Sequence, residues 1–112
     1  MFNNKKMKKV DKIKRFLTEG EYIEEAYKTV IDIVCFTNKR IIFFDNKLVS
    51  KKKKRVSVPY KSITSYAIEE AGMFDIDAEL ILFTRGGEFE IDFARGTNMI
   101  EVDKMIAKHI GM

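Results

Sequence analysis

Lys51, Lys52, Lys53, Lys54 and Arg55 form the densest run of charge on this 112-residue chain. Clustered cations suit the phosphates of a lipid surface or a nucleic acid, whose counterions they displace on binding. On an exposed edge strand, the same run keeps one sheet from pairing with another, and this simpler reading is preferred. No aromatic residue interleaves the lysines, so the stacking platform of a single-strand binder is missing and no nucleic-acid partner is expected. A second grouping is acidic. Asp75, Asp77 and Glu79 follow Glu69 and Glu70 and set carboxylates at alternate positions, as calcium ligands are often set. The twelve-residue calcium loop with its central Gly and closing Glu is absent, so the stretch reads as structural or as one side of an intersubunit contact.

Nucleophiles and bases are sparse. Cys35, the single cysteine, has no His or base beside it in sequence and reads as a packed thiol. A lone cysteine allows no intrachain disulfide and points to a reducing compartment, the cytosol by default. His109, the single histidine, lies near the end of the last helical pattern, where a cation suits the helix dipole, and no catalytic partner is evident for it. Gly86 and Gly87 mark a hairpin turn and do not open a helix, so they cradle no phosphate. The expectation is a protein with no catalytic residues, no cofactor and no metal.

The elements that must carry these residues follow from periodicity. Met7, Val10, Ile13 and Leu17 recur at helical spacing among lysines, predicting a basic amphipathic helix over about Lys5 to Leu17. Glu21 to Val30 alternates as a first strand, with Tyr22, Ala26, Lys28 and Val30 on one face and Ile23, Glu25, Tyr27 and Thr29 on the other. Asp32 to Thr37 and Arg40 to Asp45 flank Asn38 and Lys39 as a tight hairpin, Asn being tolerant of the left-handed backbone that a two-residue turn requires. Asn46 and Lys47 read as a turn. A fourth strand begins somewhere in Leu48 to Lys54 and runs through Val56 and Val58 to Pro59, which marks an edge. Ser62 to Glu69, Ala78 to Thr84 and Glu88 to Phe93 complete seven strands, with Met73 to Asp77 as a loop. Asn98 with Glu101 three residues later has the pattern of a capping box, and Met99, Val102, Ile106 and Ile110 give the closing helix one apolar stripe. The fold class is mainly β: a seven-stranded antiparallel sandwich or partly open barrel capped by the C-terminal helix, with an extra N-terminal helix.

Four stretches, L-T-E-G-E at Leu17 to Glu21, F-T-N-K-R-I-I at Phe36 to Ile42, V-P-Y-K-S-I at Val58 to Ile63 and E-E-A-G-M-F-D-I-D-A-E-L at Glu69 to Leu80, occur in that order. Together they resemble the small bacterial pleckstrin homology domain family over roughly residues 17 to 110. The basic helix at residues 1–16 lies outside the resemblance, which implies a PH-like domain at 17–112, a strand-rich sandwich or barrel with a C-terminal capping helix, little chemistry, and ring-like homo-oligomers. Eukaryotic relatives hold phosphoinositides with cations on a long loop between their first two strands. The corresponding link here, Val30, Ile31 and Asp32, is short and without a cation.

Charge is divided along the chain. Residues 1–61 hold 17 Lys and Arg against 7 Asp and Glu, a balance of +10, while residues 62–112 hold 4 against 10, a balance of −6. Such asymmetry suits basic-to-acidic contact between identical subunits. The leading expectation is therefore a non-enzymatic, cytoplasmic module that self-associates head to tail, closing into a ring. Lys51 to Arg55 are placed on its basic side, Asp75, Asp77 and Glu79 on its acidic side, and Arg40 pairs with one of these carboxylates. The alternative is a peripheral module at the inner face of the membrane, using the first helix and the lysine run against anionic lipid. A third is a protein partner added to an exposed sheet edge.

Overall fold

The computed structural model describes residues 4–45, 53–70 and 78–112. Lys51, Lys52, Asp75 and Asp77 lie outside the described residues, as do the positions of the expected turn at Asn46 and Lys47 and of the expected loop from Met73 to Asp77. Element order is α1 (Asn4–Lys14), β1 (Ile23–Lys28), β2 (Ile33–Thr37), β3 (Arg40–Asp45), β4 (Lys54–Pro59), a 3-10 turn (Tyr60–Ser62), β5 (Ile63–Glu69), β6 (Ala78–Thr84), β7 (Gly87–Phe93) and α2 (Met99–His109). Strands β1 to β4 form one antiparallel sheet and β5 to β7 a second, each in sequential order. The two pack face to face as a sandwich and do not close into a barrel.

Period-two alternation builds the interior. Tyr27, Val34, Phe36, Ile41, Phe43 and Val58 from the first sheet meet Leu80, Leu82, Ile91 and Phe93 from the second, and Val102 and Ile106 of α2 fill the open end. Asn98 caps α2 by accepting from the Glu101 amide at 3.2 Å. The return half of the expected capping box is replaced, because the Glu101 carboxylate accepts a hydrogen bond from the Tyr27 hydroxyl instead. That bond ties the helix to the sheet.

α1 covers the other face of the first sheet. Ile13, 1% exposed, seats among Ala26, Ile33, Cys35 and Ile42, with Val10 and Leu17 beside it. The basic helix thus packs Val10 and Ile13 on its own chain, while Met7 of the expected stripe is exposed and Leu17 lies beyond the helix end. β2 is consequently buried on both sides, Val34 and Phe36 toward the interior and Ile33 and Cys35 toward α1. This explains its continuous apolar run, which strands covered on both faces require.

Two local expectations are corrected. No non-glycine residue among those described has positive φ. The Asn38-Lys39 turn is therefore not held by a left-handed Asn; instead, the Thr37 hydroxyl accepts from the Lys39 and Arg40 amides at 3.0 and 2.9 Å. In β1, the register shifts between Ile23 and Glu25, a β-bulge at Glu24. The bulge breaks the strict alternation, so Ile23 packs on the α1 side together with Ala26 rather than on the face of Tyr27.

Candidate functional site

Three of the four family-like stretches converge at the β2-β3 turn. Gly20, at φ 76°, reverses the chain so that the Glu21 amide reaches the Thr18 carbonyl at 3.0 Å. Glu21 then points inward with its side chain fully buried. Its Oε2 accepts from Arg40 Nε at 2.8 Å and from the Thr37 hydroxyl at 2.7 Å, and its Oε1 from Arg40 at 2.9 Å and the Thr18 amide at 2.9 Å. The Arg40 guanidinium fork, aided by these other donors, holds the Glu21 carboxyl down at about 2. Arg40 also donates to the Phe16 carbonyl and the Ser57 hydroxyl. Among the described residues, its carboxylate partner is thus Glu21 and not Glu79.

Asn38 joins the same knot, its Oδ1 accepting from the Tyr22 amide and its Nδ2 donating to the Gly20 carbonyl. Lys39 Nζ donates to the Glu19 carbonyl at 2.9 Å. From the third stretch, the Tyr60 hydroxyl donates to the Thr37 carbonyl at 2.6 Å, and its ring stacks on His109 at 4.1 Å. His109 Nε2 lies 2.7 Å from Glu24 Oε1. A groove of about 800 Å³ opens here, lined in part by Thr18, Asn38, Lys39, Tyr60, Lys61 and His109. These bonds close on one another around the buried Glu21 carboxylate. The knot ties the α1-β1 link to the β2-β3 and β4-β5 links.

Charge separates onto two outer faces. On the α1 side, Lys8, Lys12, Lys14 and Arg15 are exposed. Arg55 lies with its guanidinium 3.5 Å over the Phe16 ring. Lys53 and Lys9 reach Asp32 at 2.7 and 3.0 Å, and their hydrogen bonds outweigh the effect of its burial to hold its carboxyl below the usual range. Of the predicted cation run, Lys53 is therefore used within the chain, while Lys54 and Arg55 are exposed on β4.

The outer face of the second sheet carries the opposite sign. With Leu80, Leu82, Ile91 and Phe93 turned inward, alternation turns Glu79, Glu88, Glu90 and Asp92 outward, with Ile81 and Phe83 between them. Registration puts Glu69, Glu79 and Asp92 in one row across three strands. Burial, a hydrogen bond with Asp92 and the charges of Glu90, Asp92 and Glu69 push the Glu79 carboxyl up to about 7. Among the described residues, no Lys or Arg pairs with this row. No three His, Cys, Asp or Glu of the described residues come together to hold a metal ion. Cys35 is fully buried, and burial pushes its thiol up to about 12, the setting of a packed and unreactive sulfur.

Sequence reasoning missed Glu21, Glu24 and Asp32 as charged partners and Tyr60 as the aromatic that links three segments. A signal was present: Glu21 and Tyr60 sit inside L-T-E-G-E and V-P-Y-K-S-I, the stretches that carry the resemblance.

Comparison with known proteins agrees with this architecture. The family model for the bacterial PH domain matches residues 1–110, α1 included. The chain is 57% identical over 99 residues to the uncharacterized protein YozO of Bacillus subtilis (strain 168), covering 88% of this chain and 87% of that one. It is 36% identical over 101 residues to YjqA of the same organism, covering 87% and 81%. The crystal structure of a pleckstrin homology domain from Shewanella amazonensis SB2B superposes with a TM-score of 0.74 at 36% identity, covering 93% of this chain and 86% of that chain. A DUF1696 family protein with a pleckstrin-homology domain from Shewanella loihica PV-4 gives 0.73 at 34%, covering 93% and 92%. With two sequential antiparallel sheets, a capping C-terminal helix and a family match over almost its whole length, this chain belongs to the bacterial PH domain family.

Proposed function

We propose that this protein is a non-catalytic, cytoplasmic assembly module whose copies associate head to tail, the basic α1 face of one against the acidic outer face of the β5-β7 sheet of the next. The observation that supports this reading is the segregation of opposite charge onto two different faces of one small sandwich. Like charges placed directly across strands are unfavourable. The row Glu69, Glu79 and Asp92 is relieved when a neighbour brings cations such as Lys8, Lys12 and Arg55. Ile81 and Phe83 supply an apolar centre to the acidic face. Faces that differ in this way make a heterologous contact, which closes into a ring when the rotation between copies permits.

Light scattering after size exclusion tests it. The wild type is expected as an oligomer at low salt that dissociates as salt rises. Glu79→Lys with Glu90→Lys, or Lys8→Glu with Lys12→Glu, is expected as a monomer, and mixing the two reversed proteins restores association. A wild-type monomer at working concentration overturns the reading.

A second reading, a peripheral membrane module, draws on one observation. Val30, 63% exposed, and Ile31, 37% exposed, project beside Lys6, Lys9 and Lys28. Co-sedimentation with vesicles of anionic but not of neutral lipid, lost on Val30→Asp, would favour it over assembly.

A further inference from the structure

A sandwich of two open sheets has four strand edges, and three of them are tied or blunted over at least part of their length. β1 and β7 are stitched at a corner by the Thr29-Phe93 bridge, with Val30 N to Asp92 O at 2.8 Å and Ala94 N to Lys28 O at 3.0 Å. β4 presents Lys54 and Arg55 and ends in Pro59, the residues that blunt an edge. β5, I-T-S-Y-A-I-E, pairs only with β6, and contains no Lys, Arg or Pro. Its register is broken once, between Ile63 and Ser65, and runs unbroken from Ser65 to Glu69. Among the described residues no strand pairs with its outer side.

The edge does not face open solvent alone. A groove of about 690 Å³ runs between β5 and α2, lined by Tyr66 and Ile68 of the strand and by Asp103, Ile110 and Met112. Tyr66 donates its hydroxyl to the Asp103 carboxylate, fixing that carboxylate at the groove wall and pushing the phenol up to about 12. Glu70 lies at the strand's end in the same groove. Half-buried apolar side chains along an open backbone ladder, flanked by Asp103 and Glu70, describe a receptor for a strand that alternates apolar and cationic side chains.

We propose that the outer edge of β5 is a docking site for an extended basic segment of a partner protein, which adds to the β5-β7 sheet as a fourth strand and lays alternate apolar side chains toward α2. Five unbroken positions, Ser65 to Glu69, offer about 17 Å of ladder. Charge complementarity selects the occupant, because the groove's two carboxylates favour Lys or Arg and repel an acidic strand. The site is separate from the outer face of the sheet and stands whether or not copies assemble through that face.

Amide-resolved NMR titration with acetylated, amidated hexapeptides tests it. The probes are an alternating Val-Lys peptide, an alternating Val-Glu peptide, and the Val-Lys peptide N-methylated at every second residue. The Val-Lys peptide is expected to shift the amides of Ser65 to Glu69 and to slow hydrogen exchange of those that point away from β6. N-methylation is expected to abolish both effects, since it removes the ladder donors and leaves the side chains. Asp103→Asn is expected to weaken the Val-Lys peptide by about threefold to fivefold, the size of one partly exposed ion pair. Shifts elsewhere on the protein, equal binding of the N-methylated peptide, or equal binding of the Val-Glu peptide each overturn the proposal. Slowed exchange of Ser65 to Glu69 in the free protein that grows with its own concentration overturns it too, by assigning the edge to a second copy.

Discussion

Glu21→Gln isolates the charge of the buried knot while keeping its shape. The wild-type carboxyl is held at about 2 against an ordinary 4.5, a difference worth about 3 kcal/mol of folding stability at neutral pH. Arg40 remains 22% exposed, so solvent screening lowers the expected contribution to roughly 1–3 kcal/mol. The sign follows from a depressed carboxyl: the stabilisation is fully present above about pH 4.5 and is lost as pH falls toward 2. Urea denaturation at pH 7 is therefore expected to move the midpoint down by about 1–2 M in the variant, taking an m-value of roughly 1.5 kcal/mol/M. Between pH 4.5 and 2, the wild type loses this increment and the two proteins converge. A cycle with Arg40→Met, in which the second substitution costs little once the first is present, assigns the effect to the pair. A variant within about 0.5 kcal/mol of the wild type at pH 7, or one with the wild-type acid dependence, refutes the reasoning.

Phe36→Ala removes a fully buried ring that meets Tyr27 edge-on at 5.7 Å, and is expected to cost about 3–5 kcal/mol by calorimetry or urea unfolding. Glu79→Gln acts in the opposite direction to the Glu21 change. A carboxyl raised to about 7 contributes stability that is fully present below about pH 4.5 and lost as pH rises from there through 7, so the variant is expected to be more stable than the wild type by a few tenths to about 1 kcal/mol at pH 8 and equal to it at pH 4. The Cys35 thiol is expected to stay unreactive toward a disulfide reagent in the native protein and to titrate fully in urea; rapid native labelling would contradict its burial.

The readable parts of the chain were those where one face is wet and the other dry. Glu88 to Phe93 alternates without interruption and forms β7 as read, and Asn98 caps α2 from its sequence position. β1 was blurred by the extra residue at Glu24, because period-two reasoning assumes an unbroken register and cannot place a bulge. Asn38 carries a turn signal that local chemistry reads as a left-handed backbone. Its side chain is instead spent on Gly20 and Tyr22, sixteen to eighteen residues away. The Glu21-Arg40 pair was hidden for the same reason, and Arg40 was drawn to the acidic stretch by composition alone. The charge asymmetry between the two halves of the sequence became two faces because α1 lies over one sheet while β6 and β7 supply the other.

A strand with no wet side has consequences for how the molecule comes apart. α1 cannot lift away without baring Ile33 and Cys35, and the second sheet cannot separate without baring Val34 and Phe36. Loosening either layer therefore strips β2 of half its cover, so the layers are expected to melt as one transition, with the amides of Val34 to Phe36 the last to trade their protons with water.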